Sequence, residues 1–427
     1  MSTALLTDRY ELTMLQASLK SGMAHRHSVF EVFCRQLPAG RRYGVVAGTG
    51  RLLDLIGEFR FGEAELQYLS EQQIVDESTL KWLADYKFGG DILGYREGEL
   101  HFGESPVLTV RASFAEAVIL ETLILSVLNF DSAIAAAASR MRIAAGDRTL
   151  IEMGSRRGQE QAAVAAARAA YIVGFDFTSN LEAGRRWGVP TLGTAAHSFT
   201  LIHDSEEAAF RAQLDAFGPS TTLLVDTFDT AKAISTGLNL AGDKLGGIRL
   251  DSGDLSREAA QARELLDALG AQDTRITVTS DLDEYAIASL AAEPIDSYGV
   301  GTSLITGSGY PTAGFVYKLV AHSDDGKSWT SVAKASRGKK NRGGEKRAFR
   351  KLAEGRATAE LVTESTPGLS RELQVSLCER GEMNSEHLGK RGVENARDWH
   401  RRALIELPES AKRMSKGEPA LELEFED

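Results

Sequence analysis

The sequence predicts an α/β protein whose central part is a parallel β-barrel surrounded by helices. Between about residues 149 and 302, short apolar runs alternate with helical stretches, which is the pattern of parallel strands joined by crossover helices. Polar residues stand at or near the ends of these runs. Barrel enzymes build their sites from such ends, whereas an open doubly wound sheet gathers its contacts near one switch point. The predicted strands cover residues 149–153, 170–175, 190–193, 222–225, 247–250, 275–279 and 297–300.

The composition is that of a folded, acidic protein. A length of 427 residues indicates about two or three domains, or one barrel plus a smaller unit. The apolar share of 43% and the charged share of 26% exclude wholesale disorder. A net charge of −11 argues against a surface that binds nucleic acid as a whole. Cys34 and Cys378 are the only cysteines, which excludes a disulfide framework and fits a reducing cytoplasm.

Residues 1–113 are predicted to form an N-terminal α/β domain. The first eleven residues include the charged Asp8, Arg9 and Glu11 and no apolar core stretch, so no signal peptide is expected there. Short helices and strands alternate through this region. In order, the sequence predicts a helix over 9–20 after an N-cap at 7–8, a strand over 28–35, a glycine-rich turn, strand and turn over 40–50, two glutamate-rich helices ending near 86, and strands within 91–110.

The barrel domain is predicted to span residues 114–320 and to open with two apolar helices, 114–128 and 132–145. The apolar run 115–130 contains Glu116 and Glu121. It is too short and too charged to cross a bilayer, so a buried helix and no membrane association are expected.

Residues 321–427 are predicted to form a basic loop and a C-terminal segment. The stretch 334–351 contains nine Lys or Arg and one Glu. It is a solvated charge run by default, a nucleic-acid arm with few aromatics for stacking, or a flexible polyphosphate clamp with interleaved glycines. The tail lacks the apolar mass for a core of its own, so we expect it to pack on the N-terminal region.

The strongest local candidate for chemistry is the end of the strand 247–250. Arg249 and Asp251 flank Leu250 there, and buried charges need partners or ligands. A guanidinium suits a carboxylate or phosphate, and an aspartate suits ribose hydroxyls or Mg²⁺. Asp254, three residues later, is equally well interpreted as a helix N-cap.

Two further strand ends are candidates with ordinary structural alternatives. His197 follows a short strand and could act as base or nucleophile, although a lone histidine is usually structural. Gly299 and Gly301 could let backbone amides approach an anion or could form a simple turn, and the turn 279–283 is equally ambiguous. No nucleotide-binding fingerprint is complete, because Ala321 stands where a Walker-type loop needs its first glycine.

Nine segments taken together resemble nicotinate phosphoribosyltransferase. Each is weak alone, and their order and co-occurrence carry the resemblance. They are TDRYELTM at 7–14, FEVFCR at 30–35, ETLILSVLN at 121–129, EMGSRR at 152–157, TSN at 178–180, GTAAHS at 193–198, RLDSGD at 249–254, YGVGT at 298–302 and the basic stretch 334–340.

The resemblance implies the type II phosphoribosyltransferase fold, in which an N-terminal α/β domain completed by C-terminal chain accompanies an irregular α/β barrel. It implies a homodimer with shared active sites. The implied reaction joins nicotinate to the ribose of phosphoribosyl pyrophosphate, giving nicotinate mononucleotide and pyrophosphate for NAD salvage. It is coupled to hydrolysis of the co-substrate ATP and requires Mg²⁺.

The resemblance also implies roles for single residues. Tyr10 would stack on the pyridine ring from the neighbouring subunit. Arg249 would face the nicotinate carboxylate, Asp251 would hold ribose hydroxyls, and His197 would be phosphorylated by ATP. A neutral Ser179 would favour nicotinate over nicotinamide by not repelling a carboxylate.

The remaining implied roles concern phosphates, the ring and the metal. Met153 stands where many relatives have Phe, which puts a two-sided ring sandwich in doubt. By strand-end position, Asp226 and Asp281 are candidate Mg²⁺ ligands. Arg156 and the turn formed by Gly299, Gly301 and Thr302 would hold phosphates, and Ser280 is a further expected substrate contact. Arg35, Lys334 and Lys339 would neutralise pyrophosphate across the interface.

Three alternatives remain. A nicotinamide or quinolinate phosphoribosyltransferase is the nearest, disfavoured by Ser179 and by the need for a denser cationic pocket respectively. A Schiff-base aldolase needs a strand-end lysine, but only Lys232 and Lys244 lie within 149–302. A nucleic-acid binder using 334–351 conflicts with the acidic remainder of the chain.

Overall fold

The computed structural model describes residues 2–336, 339–340, 342–365, 367–368 and 370–426, with backbone alone for 335–336 and 339–340. The chain forms two compact units. The first contains Met1–Ala136 and Tyr310–Asp427, and the second contains Ala137–Gly309. The domain bounds at 113 and 320 stay predictions.

The N-terminal segment of the first unit contains most of the elements expected for it. The predicted strand 28–35 is β1, but it is buried along almost its whole length rather than on one face. It lies inside a sheet, between two antiparallel partners, so its polar positions are buried too. The elements are α1 Arg9–Ser21, β1 His27–Cys34, β2 Gly44–Val45, α2 Thr49–Glu58, α3 Glu63–Glu71, α4 Glu77–Ala84, β3 Asp91–Tyr95, β4 Leu100–His101, β5 Leu108–Ser113, α5 Phe114–Val118 and α6 Glu121–Ala145.

Helix α6 corrects the prediction of two helices, because it runs unbroken through the expected interruption at 129–131. Together with α5 it forms a helical stretch, Phe114–Ala145, that is long and apolar enough to cross a membrane by length and composition alone. Of its most apolar window, 67% is buried within the protein, as in a core helix.

The second unit contains a parallel sheet with helices between its strands. Its strand order is β7-β6-β11-β10-β9-β8, and every pairing is parallel. The elements are β6 Thr149–Glu152, α7 Glu160–Ile172, β7 Phe177–Thr178, α8 Leu181–Trp187, α9 His197–Leu201, α10 Glu206–Phe217, β8 Thr222–Leu224, α11 Thr230–Ala241, β9 Gly247–Leu250, α12 Leu255–Ala268, β10 Arg275–Thr279, α13 Glu284–Ser289, β11 Ser297–Val300 and α14 Thr302–Ile305.

This sheet curls towards a barrel. Alternate residues of its strands, among them Thr149, Ile151, Thr222, Thr277 and Ser297, line one cavity of about 840 Å³. Because successive side chains of a strand point to opposite faces, one face of the sheet must enclose that cavity. The predicted parallel α/β barrel architecture is confirmed as a curled half-barrel.

Two of the seven predicted strands are wrong. The apolar run 170–175 is mostly the end of α7, because the alanine-rich helix continues to Ile172, and the strand follows at Phe177–Thr178. The run 190–193 forms no strand and contributes a single bridge between Thr191 and Thr178. The sheet therefore has six strands within the described residues.

The C-terminal segment completes the first unit. Its strands join N-terminal ones in a seven-stranded sheet of order β13-β12-β1-β5-β3-β19-β20, which confirms an α/β domain built from both ends of the chain. A second sheet has the order β18-β16-β17-β21. The elements are β12 Phe315–Ser323, β13 Thr330–Ser331, β14 Ala335–Ser336, β15 Lys339–Lys340, β16 Arg347–Ala353, β17 Arg356–Thr363, β18 Arg371–Glu372, β19 Gln374–Glu379, β20 Glu382–Met383, α15 Gly389–Glu406 and β21 Glu422–Glu426.

Candidate active site

The strand ends of the second unit bring His197 and Asp226 together. His197 is the first residue of α9, and Asp226 follows the end of β8. His197 Nε2 lies 3.0 Å from Asp226 Oδ1. Asp226 Oδ2 accepts hydrogen bonds from the Asp251 amide at 2.8 Å and from the Ser252 hydroxyl at 2.7 Å. The aspartate thus links the histidine to the segment after β9.

Arg249, in β9, is held in place by four hydrogen bonds. Its Nε donates to Thr279 Oγ1 at 2.9 Å, and its Nη1 donates to Thr194 Oγ1 at 2.9 Å and to Ala195 O at 3.1 Å. Its Nη2 donates to Asp251 Oδ1 at 2.7 Å. Since a guanidinium has five N–H groups, one N–H on Nη2 stays available for a ligand.

Asp251 is prepared to act as an ionised acceptor. Its Oδ1 accepts from Arg249 and from the Thr279 hydroxyl, while its Oδ2 has no hydrogen bond among the described residues. Burial acts to raise the pKa of the Asp251 carboxyl, but the hydrogen bonds from Thr279 and Arg249 hold that pKa below its usual value. The free oxygen can therefore accept a hydrogen bond from a hydroxyl group at neutral pH.

The neighbouring strands β10 and β11 pack tightly beside this group. A β-carbon at Gly299 would lie 2.5 Å from Thr279 Cγ2 and 2.8 Å from Met153 Sδ, so this position in β11 requires glycine. The Met153 thioether thus lies against β11 at Gly299. Ser280, directly after β10, has φ 150°, a conformation rare for residues with a side chain. Backbone strain of this kind is concentrated at functional sites.

The other predicted contacts of this unit lie at the same carboxyl ends but are exposed. Arg156 follows β6, Ser179 follows β7, and Thr302 begins α14 after Gly301. The Ser179 amide donates to the Glu152 carbonyl at 2.8 Å, which ties the ends of β7 and β6 together. Their roles as substrate contacts stay predictions.

The predicted metal ligands are in different situations. Both oxygens of Asp226 already accept hydrogen bonds, and its role as a metal ligand stays a prediction. Asp281 is exposed after β10. The described residues contain no group of three or more His, Cys, Asp or Glu arranged to hold a metal ion. Mg²⁺ characteristically uses one or two carboxylates together with substrate phosphates and water.

Four of the predicted contacts belong to the first unit. Tyr10 is 45% exposed on α1, and burial, followed by the charge of Glu121, raises its pKa to about 12. Arg35 lines a pocket of about 500 Å³, and its buried Nε has no hydrogen-bond partner among the described residues. Lys334 is exposed. Lys339 lies in β15, and its side chain is outside the described part of the structure.

Sequence reasoning assigned no role to three residues that hold this site together. Thr279 connects Arg249 to Asp251, and Thr194 supports Arg249 from the segment before α9. Glu152, at the end of β6, is fully buried beneath the exposed contacts. The only available signal was their position at strand ends, and threonine in particular is common in strands for other reasons.

A curled parallel sheet whose carboxyl ends collect a histidine, an arginine and two aspartates defines an α/β-barrel enzyme. Residues 5–129 match the family model for the nicotinate phosphoribosyltransferase (NAPRTase) N-terminal domain. The chain is 53% identical to nicotinate phosphoribosyltransferase pncB1 of Mycobacterium tuberculosis, over 98% of this chain and 94% of that protein. It is 37% identical to nicotinate phosphoribosyltransferase of Bacillus subtilis, over 76% and 68% of the two chains. The chain belongs to the nicotinate phosphoribosyltransferase family.

Solved structures agree on the fold. The crystal structure of human nicotinic acid phosphoribosyltransferase matches with a TM-score of 0.82 and 24% identity, covering 99% of this chain and 98% of that one. The nicotinate-nucleotide pyrophosphorylase of Pyrococcus furiosus matches with a TM-score of 0.77 and 22% identity, covering 94% and 96%. At these identities the matches support the fold and not the substrate.

Proposed function

We propose that this enzyme transfers the phosphoribosyl group of phosphoribosyl pyrophosphate to nicotinate, with ATP hydrolysis coupled through His197. The observation that carries the proposal is the continuous hydrogen-bonded group His197–Asp226–Asp251–Arg249 at the carboxyl ends of β8 and β9. The products are nicotinate mononucleotide, for NAD salvage, and pyrophosphate.

The reaction requires charged residues at two places, the nicotinate carboxylate and the ribose. The pyridine nitrogen forms a bond to C1 of the ribose as the bond from C1 to the pyrophosphate oxygen breaks, and the pyrophosphate leaves with the electron pair. Arg249 offers its remaining N–H to the nicotinate carboxylate, and Asp251 Oδ2 accepts a ribose hydroxyl. Fixed groups of this kind stabilise a transition state because they need no reorganisation during the reaction.

His197 is suited to accept a phosphoryl group. Asp226 accepts from the Asp251 amide and the Ser252 hydroxyl, so it acts as an ionised acceptor towards the imidazole as well. His197 Nε2 then carries the proton, and the lone pair is on Nδ1. We therefore assign Nδ1 as the atom that takes the γ-phosphoryl of ATP.

Mg²⁺ would neutralise charge on the phosphates of the substrates. Of the two candidate ligands, Asp281 fits this role better than Asp226, because its carboxylate is exposed whereas both oxygens of Asp226 already accept hydrogen bonds. One protein carboxylate with phosphate oxygens and water is an ordinary Mg²⁺ ligand set.

The enzyme acts as a homodimer in this proposal, with Tyr10, Arg35, Lys334 and Lys339 contributed across the interface. The buried, unpartnered Nε of Arg35 supports an anion contact, and the exposed ring of Tyr10 supports stacking on a pyridine. Two free, buried cysteines fit the proposed cytoplasmic location.

A substrate panel tests the proposal. The enzyme is incubated with phosphoribosyl pyrophosphate, Mg²⁺ and labelled nicotinate, nicotinamide or quinolinate, with and without ATP. Of the three pyridine substrates, we expect only nicotinate to give a mononucleotide, and we expect its yield to be higher when ATP is present. Preferential use of nicotinamide or quinolinate would overturn the assignment and favour the corresponding phosphoribosyltransferase.

A further inference from the structure

Glu152 is a buried carboxylate that the proposed reaction does not use. It is the last residue of β6 and is only 1% exposed. Burying an ionised carboxylate is costly unless hydrogen bonds or a cation compensate. Glu152 forms no ion pair with a described residue and is held by two hydrogen bonds, from the Gly154 amide to Oε1 and from the Thr178 hydroxyl to Oε2 at 2.5 Å.

Thr178 connects Glu152 to the next segment. Its Oγ1 accepts from the Asn180 amide at 2.9 Å, and its hydroxyl donates to the Glu152 carboxylate. The side chain of Asn180 in turn donates to Ser155 Oγ at 3.0 Å. A chain of hydrogen bonds thus runs from Glu152 through Thr178 and Asn180 to Ser155, which is three residues after Glu152 in the sequence.

This chain of hydrogen bonds joins two segments that follow the neighbouring strands β6 and β7. Residues 153–157 follow β6 and carry Arg156, while residues 178–180 end β7 and carry Ser179. The close approach of backbone to carboxylate is built into the sequence, because a β-carbon at Gly154 would lie 2.9 Å from Glu152 Oε1. Each segment therefore depends on the same carboxylate for its position.

We propose that Glu152 is a positioning residue that sets the placement of both segments, and so governs phosphoribosyl pyrophosphate binding through Arg156 and the preference for nicotinate through Ser179. This inference rests on the proposed function, since Arg156 and Ser179 are its predicted substrate contacts. Glu152 itself touches neither substrate. Its effect reaches the reaction through the backbone of the two segments.

Glu152→Gln is the direct test, because it keeps the shape of the side chain. Its amide oxygen can still accept from Gly154, but its amide nitrogen cannot accept the Thr178 hydroxyl proton, so the hydrogen bond that Thr178 donates is lost. We expect the KM for phosphoribosyl pyrophosphate to rise about tenfold, the kcat to change less, and the preference for nicotinate over nicotinamide to narrow.

Thr178 supplies a second pair of variants if Glu152→Gln folds poorly. Thr178→Val should reproduce the KM and selectivity changes, and Thr178→Ser should restore wild-type values because it keeps the hydroxyl. Glu160→Gln, at the exposed start of α7, is the matched control and should behave as wild type.

The outcomes are distinguishable. If Glu152→Gln or Thr178→Val lowers the unfolding temperature while KM and selectivity stay at wild-type values, Glu152 is structural and the proposal fails. Wild-type kinetics with Thr178→Val would also overturn it. If the wild-type enzyme makes no mononucleotide from nicotinate, the proposed function itself is wrong, and the inference about Glu152 falls with it.

Discussion

Nε2 of His197 lies 3.0 Å from Oδ1 of Asp226, and the other oxygen of that carboxylate is occupied by the Asp251 amide and the Ser252 hydroxyl. The histidine that is proposed to receive phosphate is therefore fixed to the same aspartate that orients the segment carrying Asp251. A change in the charge of His197 would therefore alter the electrostatic environment of Asp251, the proposed ribose-binding residue.

His197→Ala is expected to abolish ATP hydrolysis and the ATP-dependent gain in yield, while leaving some phosphoribosyl transfer. The reason is that Nδ1 supplies the phosphoryl acceptor, whereas Arg249 and Asp251 remain in place. The first measurement is the amount of ADP formed per nicotinate mononucleotide in the variant and the wild type. The second is phosphorus NMR of the wild-type phosphoenzyme, which locates the phosphoryl group on Nδ1 or Nε2.

Asp226→Asn is the companion variant for this prediction. An amide no longer holds the proton on Nε2, so ATP coupling should fall roughly tenfold to a hundredfold with a smaller effect on uncoupled transfer. Coupling that is unchanged in His197→Ala would remove His197 from its role, and a phosphoryl group on Nε2 would contradict the proposed tautomer.

Thr279→Val is expected to lower kcat/KM roughly tenfold to a hundredfold, because Arg249 loses an acceptor and Asp251 loses a donor. The hydrogen bond from Thr279 helps to hold the pKa of Asp251 down, so its loss raises that pKa. As the solution is acidified, the variant therefore loses the activity that needs ionised Asp251 at a higher pH than the wild type does. Steady-state pH profiles measure this shift.

Thr279→Ser is the control for this experiment, since it keeps the hydroxyl and should restore both the rate and the acid limb of the profile. Equal rates in the valine variant and the wild type would show that the link between Arg249 and Asp251 is dispensable.

The proposed sharing of each active site between two subunits predicts complementation between two inactive variants. Arg35→Ala disables the contribution of one subunit, and Arg249→Ala disables the strand-end group of the other. After unfolding, mixing in equal amounts and refolding, half of the dimers would be mixed and each would have one intact site, giving about a quarter of wild-type activity. No recovery in refolded mixtures that do contain mixed dimers would place Arg35 in the site of its own subunit.

Acid is expected to destabilise the first unit through its buried histidines. Burial lowers the pKa of His400 to about 4, while the carbonyl of Gly98, 2.8 Å from Nδ1, acts in the opposite sense. The contribution of neutral, buried His400 to stability is complete above about pH 6.5, the pKa of histidine in the unfolded chain, and is lost as the pH falls towards 4. At pH 5 the loss is about 2 kcal/mol.

His400→Asn removes this titration. The difference in unfolding free energy between pH 7.5 and pH 5, measured with denaturant, should shrink by about 2 kcal/mol. His25→Asn, at an exposed histidine, should leave the difference unchanged. The same pH dependence in the His400 variant as in the wild type would refute the prediction.

The sequence was sufficient for the fold class because buried parallel strands need apolar runs, and five of them stand out between 149 and 300. It misplaced the strand near residue 170 because an alanine-rich helix that ends in Tyr171 and Ile172 is as apolar as a strand. Apolar character alone does not distinguish these two cases; the length of the preceding helix decides.

The site was predictable in part for a related reason. Charged residues at strand ends are conspicuous, so Arg249, Asp251 and His197 could be named from position. Their connections could not, because Thr279 reaches Arg249 only through the register of β10 with β9, and Asp226 reaches His197 across 29 residues of chain. Asp226 was predicted from its position alone, and nothing local in the sequence shows that both of its oxygens accept hydrogen bonds.

Turnover of nicotinate by Arg249→Ala tests the central claim most directly. The claim is that the carboxyl ends of β8, β9 and β10 are where nicotinate and the ribose phosphate react. We expect kcat/KM for nicotinate to fall about a hundredfold or more with the fold intact, whereas Arg211→Ala, which removes an exposed arginine of α10, keeps wild-type values. Wild-type kinetics in Arg249→Ala would contradict the account.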